Sequence, residues 1–172
     1  MNFVEVPSRV QEAELERIMT QYGNSLLRMC YIYLRDASLA EDAVQDTFLK
    51  AYKKLGTFRH ESSEQSWLMR IAINTCKDYG RSSWFRRVDR KVTLESLPEA
   101  AHEPVMTDST VVDEVMRLPA KYKDVILLRY YQEMKLAQIS ETLGIPRDTI
   151  KSRIKHANKV LHQRLEGWYF DE

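Results

Sequence analysis

The sequence predicts an all-α protein of two small helical bundles joined by a flexible linker. Three observations predict it. Apolar residues recur at helical spacing, with no persuasive strand alternation. The 172 residues include only five Gly and five Pro, with 30% charged and 44% hydrophobic side chains, the balance of a helix-rich chain. The helical pattern breaks once, from Ser82 to about Ser109, where Pro98, Pro104 and scattered acids replace paired apolar positions.

The elements follow in order. A first helix is expected from about Gln11 to Leu34, striped by Leu15, Ile18, Tyr22, Met29 and Tyr33. A second begins at Ser38, which forms a capping-box pair with Glu41. Its buried side is Ala40, Val44, Phe48, Ala51 and Leu55, and Gly56 is a natural stop. A third runs from about Ser66 to Tyr79, with Leu68, Ile71, Ala72, Thr75, Cys76 and Tyr79 inward and Gly80 after it. The linker carries a possible basic helical end at Trp84–Lys91. Beyond it, regularity resumes near Val111. Pro119 starts a helix through about Gln132, Leu136–Leu143 makes a short helix, and Arg147–Leu165 makes a long one.

The net charge of +1 hides an uneven distribution. Residues 70–91 carry seven Lys/Arg against two Asp/Glu, and residues 121–165 carry ten against four. Between them, residues 92–120 carry one against six. Two basic blocks around an acidic one suit two contacts on an extended anionic ligand. No apolar run approaches a membrane span, and no signal peptide is apparent. Cys30 and Cys76 are far apart in sequence and outside any metal spacing, so free thiols in a cytoplasmic protein, with no metal and no cofactor, are expected. His60, His102, His156 and His162 are scattered. With no paired-carboxylate cluster and no phosphate-binding glycine loop, an enzyme is not expected.

The most informative segment is Leu136–Leu161. Ile139 and Leu143 form the inner face of one short helix, Gly144 permits the sharp turn, and Ile145 plugs it. Ile150, Ile154, Ala157 and Leu161 make one apolar stripe on the next helix. Asp148, Lys151, Ser152, Lys155 and Lys159 then fall on the opposite face. This is a helix-turn-helix with a basic second helix suited to a DNA groove. Lys151 and Ser152 are candidates for base edges, Lys155 and His156 for bases or phosphates, and Arg147 for a phosphate near the helix start.

Two further faces carry chemistry. On the second helix, Asp42, Gln45, Asp46, Leu49 and Lys53 lie opposite the core side. An exposed leucine among acids suits a protein contact as well as it suits a solvated face. On the third, Trp67, Arg70, Asn74, Lys77 and Arg81 share a stripe. There an aromatic could stack on a base, an amide could bond its edge, and cations could follow phosphates. From spacing alone, Trp67 is equally a core residue.

Together these residues resemble bacterial sigma factors of the extracytoplasmic-function group within the sigma-70 family. Asp42-Ala43-Val44-Gln45-Asp46-Thr47-Phe48 is similar to the acidic motif of region 2.2. Phe58-Arg59 with Trp67–Asn74 is similar to the segment that meets the minus-10 element. Leu118-Pro119 through Tyr130 resembles the start of region 4, and Leu143–Pro146 with Thr149–Ile154 resembles its minus-35 reader. The resemblance implies sigma region 2 at 11–82, a linker at 83–109 and sigma region 4 at 110–166. It implies a factor that binds core RNA polymerase and directs promoter-specific initiation. Asp42, Gln45, Asp46 and Leu49 would meet the polymerase. Arg59, Trp67, Arg70 and Asn74 would capture a flipped minus-10 base, with Lys77 and Arg81 holding nearby backbone. Arg147, Asp148, Lys151, Ser152, Lys155 and His156 would meet minus-35 duplex. The implied partners are core polymerase, promoter DNA and an inhibitory anti-sigma protein, with no membrane insertion by this chain. The alternative is a free-standing helix-turn-helix regulator. Lys135 and Leu136 depart from the family's capping Ser and aromatic, Gln138 and Ser140 replace its common Glu and Ala, and Asp148 replaces a frequent Gly.

Overall fold

A computed structural model describes residues 8–81 and 109–169. The first bundle is α1 (Ser8–Leu34), α2 (Ala37–Leu55) and α3 (Glu64–Arg81). The second is α4 (Ser109–Met116), α5 (Ala120–Ile126), a π-helical turn (Leu127–Tyr131), α6 (Leu136–Leu143) and α7 (Arg147–Tyr169). The linker, including the expected basic helix at Trp84–Lys91, lies outside the described residues.

Ile18, Leu26, Met29, Cys30 and Leu34 from α1 meet Ala40, Ala43, Phe48 and Ala51 of α2 and Leu68, Ala72 and Cys76 of α3 in the first core. The two cysteines, distant in sequence, are neighbours there, with sulfurs 3.4 Å apart and both free. The Cys76 thiol is pushed well above its ordinary range by its hydrogen bond to Cys30 and by burial. In the second bundle, Val115, Met116, Val125, Ile126, Leu128, Ile139, Ile150 and Ala157 are buried.

Three boundaries differ from expectation for local chemical reasons. The cap of α2 is Asp36, whose carboxylate accepts from the Leu39 amide at 2.7 Å, so Ser38 lies inside the helix. An acceptor just before the first turn satisfies an otherwise free amide, and Asp does this as well as Ser. Gly56 ends α2 in right-handed rather than left-handed geometry (φ −68°), and Gly80 lies within α3 rather than after it. The helix starting at Pro119 is interrupted by the π-helical turn, where the Gln132 amide bonds the Leu127 carbonyl at 3.0 Å. By contrast, α6 has the expected bounds, Leu136–Leu143. Lys135 lacks the capping hydroxyl, but its amide donates to Gln138 Oε1 at 2.9 Å, so half of a capping box remains.

The bundles also pack directly on each other, α3 against α6 and α1 against α4 and the π-helical turn. Met69 and Ile73 form a second buried stripe on α3, 0% and 1% exposed, beyond the face expected to be inward. Ile73 lines a cleft of about 270 Å³ together with Arg70, Asn74, Lys77, Thr142 and Gly144.

Candidate polymerase and nucleic-acid interfaces

On α2, packing of Ala40, Ala43, Thr47 and Ala51 inward turns Asp42, Gln45 and Leu49 to solvent. Leu49 is 57% exposed, a large apolar side chain with no cover. Asp46 is half-buried and accepts the Tyr79 hydroxyl at 2.6 Å. Burial and the Asp46 and Asp42 carboxylates push the Tyr79 phenol above its ordinary range, so it stays a donor. Tyr79 therefore ties α3 to the back of this acidic face. The arrangement offers carboxylates, an amide and one aliphatic anchor to a protein partner.

The second site lies where α2 and α3 approach. Ser63 precedes α3, and its hydroxyl accepts from the Ser66 amide at 3.1 Å, fixing the helix start. That start aims Trp67 back toward the preceding loop. Trp67 is half-buried and stacks on Phe58, with centroids 4.6 Å apart and planes 23° apart. Phe58 also meets His60 at 4.4 Å. The two roles considered for Trp67 thus coexist, because the ring packs on Phe58 and the residue also lines open space. A cleft of about 390 Å³ is bounded by Trp67, Arg70 and Asn74 of α3 and by Lys50 and Lys54 of α2. A second of about 240 Å³ is lined by Phe58, Arg59, Trp67 and Arg70. Cations, an amide and aromatic rings around a concave space suit a single unstacked base. Arg81 is exposed at the end of α3, outside these clefts. Sequence reasoning missed Lys50 and Lys54. They are four apart on α2, on a face read only for its inward neighbours, and that spacing was the available signal.

Not all of the α3 stripe is free. The Arg70 guanidinium donates to the Glu141 carbonyl and, at 3.3 Å, to the Thr142 carbonyl. Lys77 pairs with Asp124 at 3.1 Å. All three partners lie in the second bundle.

The third site is the helix-turn-helix. Gly144 adopts φ +67°, the left-handed geometry needed to reverse the chain, and its amide bonds the Ser140 carbonyl at 2.8 Å. Ser140 also donates to the Ile145 carbonyl at 2.6 Å, bracing the turn. Ile150, Ala157 and Leu161 are buried, and Ile154 is half-buried. Arg147, Asp148, Lys151, Ser152, Lys155 and His156 are all exposed. Tyr122 of α5 stacks on His156 at 4.5 Å, and Asn158 donates to Tyr130 at 3.0 Å. These tyrosines at the rim were not legible from α7 periodicity, because they come from another helix. Asp148 sits in the first turn of α7, where a carboxylate complements the helix dipole. Among the described residues, no His/Cys/Asp/Glu group could hold a metal, and no helix is long and apolar enough to cross a membrane.

A three-helix bundle with an acidic face and an aromatic-cationic cleft, followed by a helix-turn-helix bundle, defines a two-domain sigma-type fold. Residues 18–86 match the model of sigma-70 region 2, and residues 110–161 match that of sigma-70 region 4. SigW of Bacillus subtilis, an extracytoplasmic-function sigma factor, is 30% identical over 162 residues, covering 86% of this chain and 87% of the relative. The RNA polymerase sigma-H factor of Pseudomonas aeruginosa is 28% identical over 177 residues, covering 95% and 92%. The sigma factor RpoE of Bartonella quintana, solved with the anti-sigma factor NepR, shares the fold at TM-score 0.72 and 21% identity, covering 92% of this chain and 99% of that one. The chain belongs to the sigma-70 family, in its extracytoplasmic-function group. As a sigma factor, it acts in promoter-specific transcription initiation with RNA polymerase.

Proposed function

We propose that this sigma factor divides its work between three surfaces. Asp42, Gln45, Asp46 and Leu49 engage the core polymerase. Arg59, Trp67, Arg70 and Asn74 capture a flipped base of the minus-10 element, and Lys77 and Arg81 hold its backbone. Arg147, Asp148, Lys151, Ser152, Lys155 and His156 engage intact minus-35 duplex. The division into region 2 (11–82), linker (83–109) and region 4 (110–166) follows the same reading. The observation that carries it is the segregation of chemistry. An acidic face with an exposed leucine on α2, a cleft of rings and cations between α2 and α3, and a basic groove-sized helix, α7, are built from distinct sets of residues.

Duplex binding by α7 supplies position, and base capture stabilises only the melted state. Free energy gained only in the open form shifts the equilibrium toward opening, with no bond made or broken by this chain. It acts in the cytoplasm, where polymerase and DNA are, and catalyses no reaction itself. An anti-sigma protein is the expected inhibitor, supported by fold neighbours solved with such partners, CnrH with the cytosolic domain of CnrY and RpoE with NepR.

The test is reconstituted initiation with core polymerase on genomic promoters. Purified chain plus core should start transcripts that core alone does not. Failure at every promoter, with a second sigma factor succeeding, overturns the reading. Footprints then separate the sites. Trp67→Ala should impair opening more than duplex binding, and Lys151→Ala the reverse, whereas equal defects contradict the division.

A further inference from the structure

We propose that Tyr122, on α5, is a positioning residue for the minus-35 contact, holding the His156 ring at the edge of the reading helix, and that Lys121 beside it adds a phosphate contact from outside α7. The proposal rests on the assignment of α7 to minus-35 duplex. Ile150, Ala157 and Leu161 turn one side of α7 into the core. At about 100° per residue, His156 then lies on one flank of the exposed face, in the same row as Ser152. Among the described residues, its two ring nitrogens have no hydrogen-bond partner, so both remain available to a base edge or a phosphate. An exposed imidazole on a helix samples several rotamers, and ordering it opposes binding. Tyr122 orders it beforehand. The two rings stack with centroids 4.5 Å apart and planes 26° apart, which sets one imidazole face against the phenol.

Tyr122 itself stands on a fixed turn. Pro119 opens α5 at φ −54°, and its carbonyl accepts the Tyr122 amide at 2.9 Å and the Lys123 amide at 3.0 Å. Val125 and Ile126, one turn on, are buried. The Tyr122 ring is half-buried between this turn and α7. Lys121 is exposed, with its Nζ 4.9 Å from the centre of the Tyr122 ring. No carboxylate among the described residues pairs with that ammonium. Cation, phenol and imidazole thus form one surface that runs from α5 onto α7. A helix in the major groove has a phosphate wall on each side, so its flanks meet backbone while its outer face meets bases. Lys121 is placed for the wall on the His156 side.

The test uses the full chain assembled with core polymerase. The probe is a promoter found by reconstituted initiation, with its minus-35 segment randomised, and closed complexes are read for affinity, base preference and salt dependence. Tyr122→Leu keeps an apolar side chain but removes the ring. It should weaken closed-complex binding about fivefold, the worth of one stacked pair, and flatten the same base positions as His156→Ala. Tyr122→Phe keeps the ring and should match the native chain in both. In the double variant the losses of Tyr122→Leu and His156→Ala should not add, because both dismantle one unit. Lys121→Ala should leave base preference alone and lower the slope of log affinity against log salt by about 1. Circular dichroism checks folding, and Tyr122→Met reads the same loss if Tyr122→Leu unfolds. Unchanged base preference in Tyr122→Leu, or losses that add, overturns the positioning role. Weaker binding to core polymerase as the sole defect of Tyr122→Leu overturns it too. An unchanged salt slope in Lys121→Ala overturns the phosphate contact. If His156→Ala changes nothing, the fault lies in the assignment of His156 to DNA, and the role of Tyr122 falls with it. If Lys151→Ala also changes nothing, the minus-35 reading of α7 fails as a whole.

Discussion

Replacing Gly144 by Ala isolates one physical effect, because a Cβ at this position would meet nothing within 4 Å. No clash or lost contact complicates the result. What remains is conformational, since φ is +67°, where an L-residue sets its Cβ against the following carbonyl oxygen at a cost of about 1–2 kcal/mol. Asn tolerates this region better because its amide can bond the local backbone. Gly144→Ala should therefore destabilise by about 1 kcal/mol and Gly144→Asn by roughly half of that. With a urea slope of about 2 kcal/mol/M, the Ala variant's midpoint should fall by about 0.5 M. Urea unfolding of the full chain, followed by circular dichroism, measures this, and minus-35 duplex binding at low denaturant shows whether α6 and α7 keep their angle. An Ala variant as stable as the parent, or an Asn variant weaker than the Ala variant, would refute the strain argument.

Other outcomes follow from the same geometry. Asp36→Ala should cost about 0.5–2 kcal/mol by freeing the Leu39 amide, whereas Ser38→Ala should stay within a few tenths; paired urea melts compare them. Neither Cys30 nor Cys76 should react with a thiol reagent in the native chain, and both should react after unfolding. Lys123, which faces Tyr33 across the two bundles, gives a pH dependence to their packing. Burial beside Arg35, opposed by Asp124, pulls its ammonium down to about 8 from 10.5. The packed bundles thus shed this proton first, and their packing should strengthen as pH rises from about 8 toward 10.5. The neighbouring Tyr33 phenol is pushed up by burial and by the Asp124 carboxylate. Scattering between about pH 7.5 and 9.5 should show increasing compactness, absent in Lys123→Met.

Much of this architecture was legible because local signals agreed. Ile139, Gly144 and Ile150 each have one structural use, and the structure keeps all three at their expected places. The two-bundle division was equally plain, since the helical pattern breaks only at the proline-bearing linker. The cap of α2 was misplaced because Asp36 and Ser38 are both competent acceptors, and sequence spacing alone does not rank them. The bundle–bundle contact was not legible. Arg70 and Lys77 read as free cations because their partners are distant backbone carbonyls and Asp124, which lies 47 positions beyond Lys77. Met69 and Ile73 give the missed signal. Two apolar residues outside the main stripe of α3 mark a second packing partner.

The covered cleft also bears on how the chain meets competing DNA. Chromosomal DNA presents a vast excess of phosphate, which attracts any accessible cluster of arginine and lysine with little regard to sequence. A chain that spends Arg70 and Lys77 on its own carbonyls and Asp124 presents less of that charge before it finds polymerase. Contact between the bundles would then keep more of the protein in the pool that polymerase can recruit.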